Sequence, residues 1–196
     1  MKNLLSLSMI ALILVLMVGC SEANSPAGPP PLSAEFSYLV MDSDPPLEPL
    51  QWPLPLPSDI PMIALDIAGK VGATIPFSST VPNTDGSLIQ VSGLFVVPPA
   101  ALAKDTKITL SLDAKALAIR FEPEGLVFAH RTMLKWTISG LGPLPKDPPI
   151  RFCFVDENGI PTEMPSGGVT VDYDRGLIQV KDGAIPHFSR YAFVRW

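Results

Sequence analysis

Short runs of alternating apolar and polar residues recur along the second half of the chain. Lys107–Leu112 reads Lys-Ile-Thr-Leu-Ser-Leu, and a period of two places its three apolar residues on one face of a β-strand. Leu134–Ile138 and Val169–Tyr173 repeat the alternation. Ile150–Val155 is apolar on both faces apart from one arginine, and this pattern predicts a central strand.

Turn signals separate these runs. The residues Leu177–Val180 follow Val169–Tyr173 after a glycine turn, so the two segments are predicted to form a hairpin. Many short strands at regular spacing indicate an all-β fold, an antiparallel β-sandwich over residues 60–196. Ala100–Lys104 is the only helix candidate in this region. The glycine-containing turn signals are Asp85-Gly86, Glu124-Gly125, Asn158-Gly159 and Arg175-Gly176.

The first nineteen residues have the three parts of an export signal. Met1-Lys2-Asn3 is a basic start, Leu4–Val18 is apolar apart from two serines, and a small residue, Gly19, precedes Cys20. The apolar part is shorter than the roughly 20 residues that a membrane-spanning helix requires. Residues 1–19 are therefore predicted to be a removable signal peptide.

Cys20 is predicted to be the acylated first residue of a lipoprotein, because this ending resembles a bacterial lipobox. The thiol would carry diacylglycerol and further acyl chains such as palmitate, which bind the membrane. The predicted location is the bacterial cell envelope, and Ser21 favours the outer membrane if the host is Gram-negative. An ordinary signal peptide with a chance cysteine and a spanning anchor are the alternatives.

Residues 20–59 are predicted to be a proline-rich tether. Eleven of the 23 prolines lie between Pro26 and Pro61, and Ser21–Pro31 is too polar and small to bury apolar surface. The segment Trp52–Pro57 favours polyproline II. It could be a ligand for a proline-binding groove or an apolar arm that packs on its own domain.

Charge and cysteine content argue against a nucleic-acid partner and against an internal disulfide. The formal net charge of −5 and the absence of basic runs argue against a nucleic-acid partner. With Cys20 acylated, Cys153 has no partner for an internal disulfide, so the domain must rely on its core. Cys153 stands between two phenylalanines and is interpreted as a buried small hydrophobe.

Three motifs, in order, resemble the "ZU-five" domain, the β-sandwich shared by zonula occludens proteins, netrin receptors and ankyrins. Ala100 and Arg131 depart from it, standing where the family usually has Gly and Pro. The resemblance covers the chain from about Ser87 onward and implies a structural or protein-interaction module. The motifs are Val96–Leu102 with Thr106–Leu110, Phe121–Phe128 and His187–Ala192.

The triplet His187-Phe188-Ser189 is the sharpest chemical candidate, because some members of that family cleave themselves within it. Ser189 Oγ would attack the Phe188 carbonyl carbon, and His187 would accept the hydroxyl proton. On one strand, His187 and Ser189 would point to the same side. The alternative is ordinary strand sequence in which Phe188 fills the core and its neighbours hydrogen-bond locally.

No other site is predicted with a cofactor or metal. His130 and His187 lie far apart without a zinc-binding pattern. Asp156-Glu157-Asn158-Gly159 has too few ligands for a calcium loop and is explained as a turn.

The sequence as a whole therefore predicts a lipid-anchored, non-enzymatic module that docks an envelope protein. The alternatives are the self-cleaving domain and a carbohydrate-binding or hydrolytic surface protein, which would need an aromatic platform.

Overall fold

The computed structural model describes residues 47–196, and its regular secondary structure is entirely β-strand. No helix in this range is long and apolar enough to cross a membrane. The predictions for the signal peptide, Cys20 and most of the tether lie outside the described residues. The eleven strands are β1 (Ile60–Ile67), β2 (Ala73–Pro82), β3 (Leu88–Val97), β4 (Thr106–Leu112), β5 (Ala118–Glu122), β6 (Val127–Ser139), β7 (Ile150–Val155), β8 (Pro161–Glu163), β9 (Val169–Asp172), β10 (Leu177–His187) and β11 (Arg190–Arg195).

The strands form two antiparallel sheets, which confirms the predicted fold class. One sheet has the order β1-β4-β5-β11-β7-β8 and the other β2-β3-β6-β10-β9. Strand β7 lies between β11 and β8, so the prediction of an interior strand is confirmed. The predicted hairpin is also confirmed, with Leu177 opposite Asp172. Gly176, at φ +61°, supplies the left-handed backbone that its turn requires.

Aromatic pairs join the two sheets through the core. Trp136 of β6 stacks on Phe193 of β11 with ring centroids 4.5 Å apart, and Phe95 of β3 contacts Phe121 of β5 at 4.9 Å. All four side chains are fully buried. Such pairs stabilise a core beyond their buried area, by about 0.5–1.5 kcal/mol each. The inward positions of the alternating runs are therefore what holds the sandwich closed.

Residues 100–104 form a turn and bends, so the predicted helix is wrong. Ala100 has a φ of +59°, in the left-handed region that an α-helix does not contain. Its amide donates to the Gly69 carbonyl at 2.9 Å, and Ala101 and Leu102 are buried. A long-range hydrogen bond and core burial thus override the local preference.

An apolar arm, residues 49–56, precedes β1 and is built into the six-stranded sheet. It lies between β11 and the segment 114–117. The Leu50 amide donates to the Phe193 carbonyl at 2.8 Å, and the Leu50 carbonyl accepts from the Leu117 amide at 2.6 Å. The arm therefore continues the sheet where β5 and β11 stop pairing.

Further hydrogen bonds and buried side chains hold the same arm against the domain. Trp52 Nε1 donates to the Asp113 carbonyl at 2.8 Å, and the Leu56 amide donates to Ala114 at 3.1 Å. Leu50, Trp52 and Leu56 are at most 8% exposed. The arm thus packs on its own domain, and its buried anchors are not available to a proline-binding groove. These residues belong to the packed core although they precede the predicted boundary at residue 60.

Candidate functional site at the corner between the sheets

The chain crosses from one sheet to the other at the corner, residues 187–189. Strand β10 ends at His187, Phe188 and Ser189 form bends, and β11 begins at Arg190. The interpretation that placed His187 and Ser189 on one strand is therefore wrong. The cause is the change of sheet, which requires the backbone to leave the extended conformation between them.

Backbone hydrogen bonds hold Phe188 on both sides. Its amide donates to the Leu126 carbonyl at 2.7 Å, and its carbonyl accepts from the Gly125 amide at 2.9 Å. Its side chain is fully buried against Phe121 and Phe128, with ring centroids 5.6 and 5.0 Å away. A fixed amide on the Phe188 carbonyl oxygen is the arrangement that stabilises negative charge when a carbonyl is attacked.

His187 is half-buried, and its ring meets Phe154 edge-on at 4.8 Å. Its carbonyl accepts a hydrogen bond of 2.7 Å from the Tyr191 hydroxyl. Burial raises the pKa of Tyr191, so this hydroxyl remains protonated and can donate. The Tyr191 bond spans the bend and fixes the path of the corner into β11.

Ser189 is only 7% exposed, and its carbonyl accepts from the Phe121 amide at 2.9 Å. Its hydroxyl makes no hydrogen bond with any residue in the range 47–196. In particular, the contact with His187 that would activate it as a nucleophile is not formed. The structure brings the two residues to one corner but does not pair them.

A shallow depression of about 300 Å³ opens beside the corner. It is lined by residues 187–189, by Glu124 and Gly125, by Phe154 and by the loop 156–158. Asp156 Oδ1 accepts the amides of Asn158 and Ile160, at 3.0 and 2.7 Å, and so shapes this loop. The loop is the predicted Asn-Gly turn, and it contributes two carboxylates to the depression.

The remaining candidates are distributed elsewhere. No group of three or more His, Cys, Asp or Glu side chains in the described range could hold a metal ion. Cys153 is fully buried, and burial raises the pKa of its thiol to about 12, with Glu163 adding to the shift and Arg151 opposing it. A thiol in that state is a poor nucleophile.

The three tryptophans do not form an aromatic platform. Trp52 and Trp136 are buried, and the guanidinium of Arg151 lies 5.4 Å from the ring centre of Trp196. A carbohydrate-binding surface usually presents exposed aromatic faces, so no observation favours that alternative here.

One charged cluster has no counterpart in any local sequence pattern. The buried Asp113 carboxylate accepts the amides of Lys115 and Ala116 at 2.9 and 3.0 Å. It also lies 3.3 Å from Arg120 and 3.8 Å from Arg190. Arg120 and Arg190 are opposite each other on β5 and β11. Strand pairing between residues 70 positions apart creates this cluster, so sequence spacing did not predict it.

Gly125 was likewise recognised only as a turn residue. Its backbone amide donates the hydrogen bond to Phe188, and such a contact has no side-chain signature in the sequence.

Comparison with known proteins adds no site: no protein family, no curated protein and no solved structure matches the chain. The resemblance to the ZU-five domain stays a prediction.

Proposed function

We propose that this protein is a lipid-anchored cell-envelope protein whose β-sandwich is a non-enzymatic structural or protein-interaction module. The observation that supports this most is the arm. Leu50 and Trp52 bond into the sheet. A force on a membrane tether would therefore be transmitted through the arm, and the sandwich would move as one rigid body. Two or more acyl chains on Cys20 give durable attachment, since one chain alone binds only marginally.

The anchor is tested by metabolic labelling with a palmitate analogue. The wild-type chain should incorporate the label and sediment with membranes. Cys20→Ser should lose the label and leave the membrane fraction. An unlabelled wild-type chain, or a serine variant that stays with the membrane, would show that the anchor is wrong.

The docking role is tested with a photo-crosslinking residue in the full-length protein in living cells. Val127 and Ile160 are 71% and 61% exposed and adjoin the depression, since Val127 pairs with His187 and Ile160 bonds to Asp156. Leu88 is 55% exposed at the opposite end of its sheet and is the matched control. Crosslinks to an envelope protein are expected from the first two positions. None from any of the three would contradict the proposal.

A second candidate function is self-cleavage between Phe188 and Ser189, which the resemblance to the ZU-five family implies. The Gly125 amide favours it, because it would stabilise the oxyanion formed when Ser189 Oγ attacks the Phe188 carbonyl carbon. The Phe188–Ser189 C–N bond would break, the freed amine would take the proton, and water would hydrolyse the ester. For this, His187 must turn from Phe154 toward Ser189.

Denatured intact mass tests this candidate. Cleavage predicts that wild type separates into two fragments, the second being the eight residues 189–196, while Ser189→Ala stays whole. In the native state the fragments should remain together, because β11 pairs with both β5 and β7. A wild-type chain that runs unbroken to Trp196 removes the candidate.

A further inference from the structure

The loop between β4 and β5, residues 113–117, provides attachment points for the arm. Three hydrogen bonds join the arm to this loop, so the conformation of the loop decides whether the arm can bind there. They run from Trp52 Nε1 to the Asp113 carbonyl at 2.8 Å, from the Leu56 amide to the Ala114 carbonyl at 3.1 Å, and from the Leu117 amide to the Leu50 carbonyl at 2.6 Å.

Two carboxylates hold the loop in its conformation. The Asp113 side chain accepts the amides of Lys115 and Ala116 at 2.9 and 3.0 Å. Asp59, just before β1, accepts the amide of Ala114 at 2.8 Å. Three consecutive loop amides thus donate to ionisable oxygens, and hydrogen bonds to a charged acceptor are roughly twice as strong as neutral ones.

Two arginines lie against the same carboxylates. Arg120 and Arg190 are opposite each other on β5 and β11. Arg120 lies 3.3 Å from Asp113 and 3.7 Å from Asp59, and Arg190 lies 3.8 Å from Asp113. Lys115 of the loop is exposed, and the arm, residues 49–56, contains no charged residue. The two carboxylates therefore balance two guanidinium groups that would otherwise repel each other across the strand pair.

Protonation of Asp113 removes this balance. Burial would raise the pKa of Asp113, but the amides of Lys115 and Ala116 and the guanidinium groups of Arg120 and Arg190 outweigh it and hold that pKa below its usual value. The carboxylate is therefore charged at neutral pH, and its stabilisation is lost as the pH falls through the lowered value, below about 4.

The arm can leave without separating the main strands. The ladders that join β4 to β5, β5 to β11 and β11 to β7 consist of residues outside the arm. Detachment would expose Leu50, Trp52 and Leu56, which are buried, so the arm stays closed while the loop is held. Such an element can open locally while the rest of the domain remains folded.

We propose that the loop 113–117 is an acid-sensitive switch for the arm. When Asp113 is protonated, the loop amides lose their charged acceptor, Arg120 and Arg190 repel each other, and the arm detaches while both sheets stay folded. Release of residues 49–56 frees at most about 28 Å of extended chain. The inference concerns the arm itself and does not depend on the acylation of Cys20.

The test is hydrogen exchange followed by NMR at pH 6 and pH 3, with small additions of urea. The protein is the mature chain, residues 20–196, with Cys20→Ser. From pH 6 to pH 3 the protection factors of the Leu50 and Leu56 amides should fall at least about tenfold, the effect of losing a hydrogen bond to a charged group. They should depend weakly on urea, because a local opening exposes little surface.

The amides of Trp136 and Ile138 are the internal reference, because β6 is paired on both sides. At pH 3 they should remain more protected than the arm amides and depend strongly on urea. Equal protection and equal urea dependence of arm and reference amides at pH 3 would mean that the domain opens only as a whole. That result, or arm protection that does not change with pH, would overturn the inference.

Matched variants assign the effect to Asp113. Asp113→Asn should lower arm protection at pH 6 by about tenfold and remove most of the further fall at pH 3. Glu163→Gln is the control, since it removes an ion-paired carboxylate on β8, at the other edge of the same sheet. It should leave arm protection unchanged. An equal loss in the control, or a full wild-type fall in Asp113→Asn, would show that Asp113 is not the switch. If Asp113→Asn does not fold, the wild-type comparison alone decides.

Discussion

The two ends of β11 meet regions that are built in opposite ways. Toward its carboxyl end, Phe193 bonds to the arm, where Leu50 and Trp52 have partners for their polar groups and little exposure. At its amino end, the corner adjoins Glu124 and Glu157, which are exposed and form no ion pair among the described residues. Buried side chains and long-range hydrogen bonds stabilise a fold, whereas exposed side chains contribute little to stability. The arm region is therefore structural, and the side chains around the corner are accessible to other molecules.

Trp52→Ala should have the largest effect, a loss of about 3–5 kcal/mol in the free energy of unfolding. The substitution removes a buried aromatic side chain and leaves the Asp113 carbonyl without its indole donor. Urea denaturation followed by fluorescence or circular dichroism measures it. Leu54→Ala, 43% exposed in the same arm, is the control and should change stability by less than about 0.5 kcal/mol. Equal losses in both variants would mean that the arm is not specifically fastened.

The reaction rate of the Cys153 thiol should measure how well the region next to the arm is buried. It belongs to a buried cluster with Val194, against which Leu47 packs. With burial raising its pKa to about 12, its reaction with a disulfide reagent at pH 8 should be about a thousandfold slower than that of an exposed thiol. Rates are measured in Cys20→Ser, and Trp52→Ala should accelerate the reaction. Rapid labelling of the otherwise intact domain would contradict the buried position.

Asp113→Asn should cost about 1–3 kcal/mol at neutral pH, because a buried carboxylate that accepts several donors is replaced by an amide. Burial alone would raise the pKa of Asp113. The amides of Lys115 and Ala116 and the guanidinium groups of Arg120 and Arg190 outweigh it and hold that pKa below its usual value.

The sign of the pH dependence follows from that lowered pKa. The stabilisation is fully present above the ordinary aspartate pKa near 4 and disappears as the pH falls through the lower folded-state value. The stability difference between wild type and Asp113→Asn should therefore shrink only below about pH 4. Asp174→Asn, an exposed carboxylate, is the control. A difference that is constant down to pH 2 would exclude the charge as its source.

Substitutions at the corner should have the smallest effects on stability. Glu157→Gln and Ser189→Ala should each change the free energy of unfolding by less than about 0.5 kcal/mol, because neither side chain has a partner to lose. Urea denaturation beside the arm variants measures the contrast. A loss above about 1 kcal/mol in either would show that the corner is structural, like the arm.

Much of the fold follows from the sequence, because β-strand burial is a local pattern. The alternation around Trp136 and the run at Lys107–Leu112 became strands with the predicted inward faces, and Ile150–Val155 became the predicted interior strand. The predicted helix at Ala100–Lys104 is wrong because a hydrogen bond to Gly69 and the burial of Leu102 determine the backbone conformation there. Local preference is weak when a distant partner competes with it.

The candidate site was predictable only in part. The triplet His187-Phe188-Ser189 attracted attention by its chemistry, but its position between two sheets changes what its side chains can reach. The amide of Gly125 and the carboxylate of Glu157 approach it from more than 25 residues away in sequence. A contact between distant segments depends on the register of several strands at once.

By itself, the sequence determined the all-β class and the positions of the most regularly alternating strands, since a period of two is visible in neighbouring residues. The export signal and the acylation of Cys20 remain predictions from the first twenty residues. Only the tertiary structure decided that Leu50 and Trp52 complete a sheet and that residues 187–189 line a depression. The reason is that both depend on which distant backbones pair with β11, and pairing is chosen by the packing of the whole core.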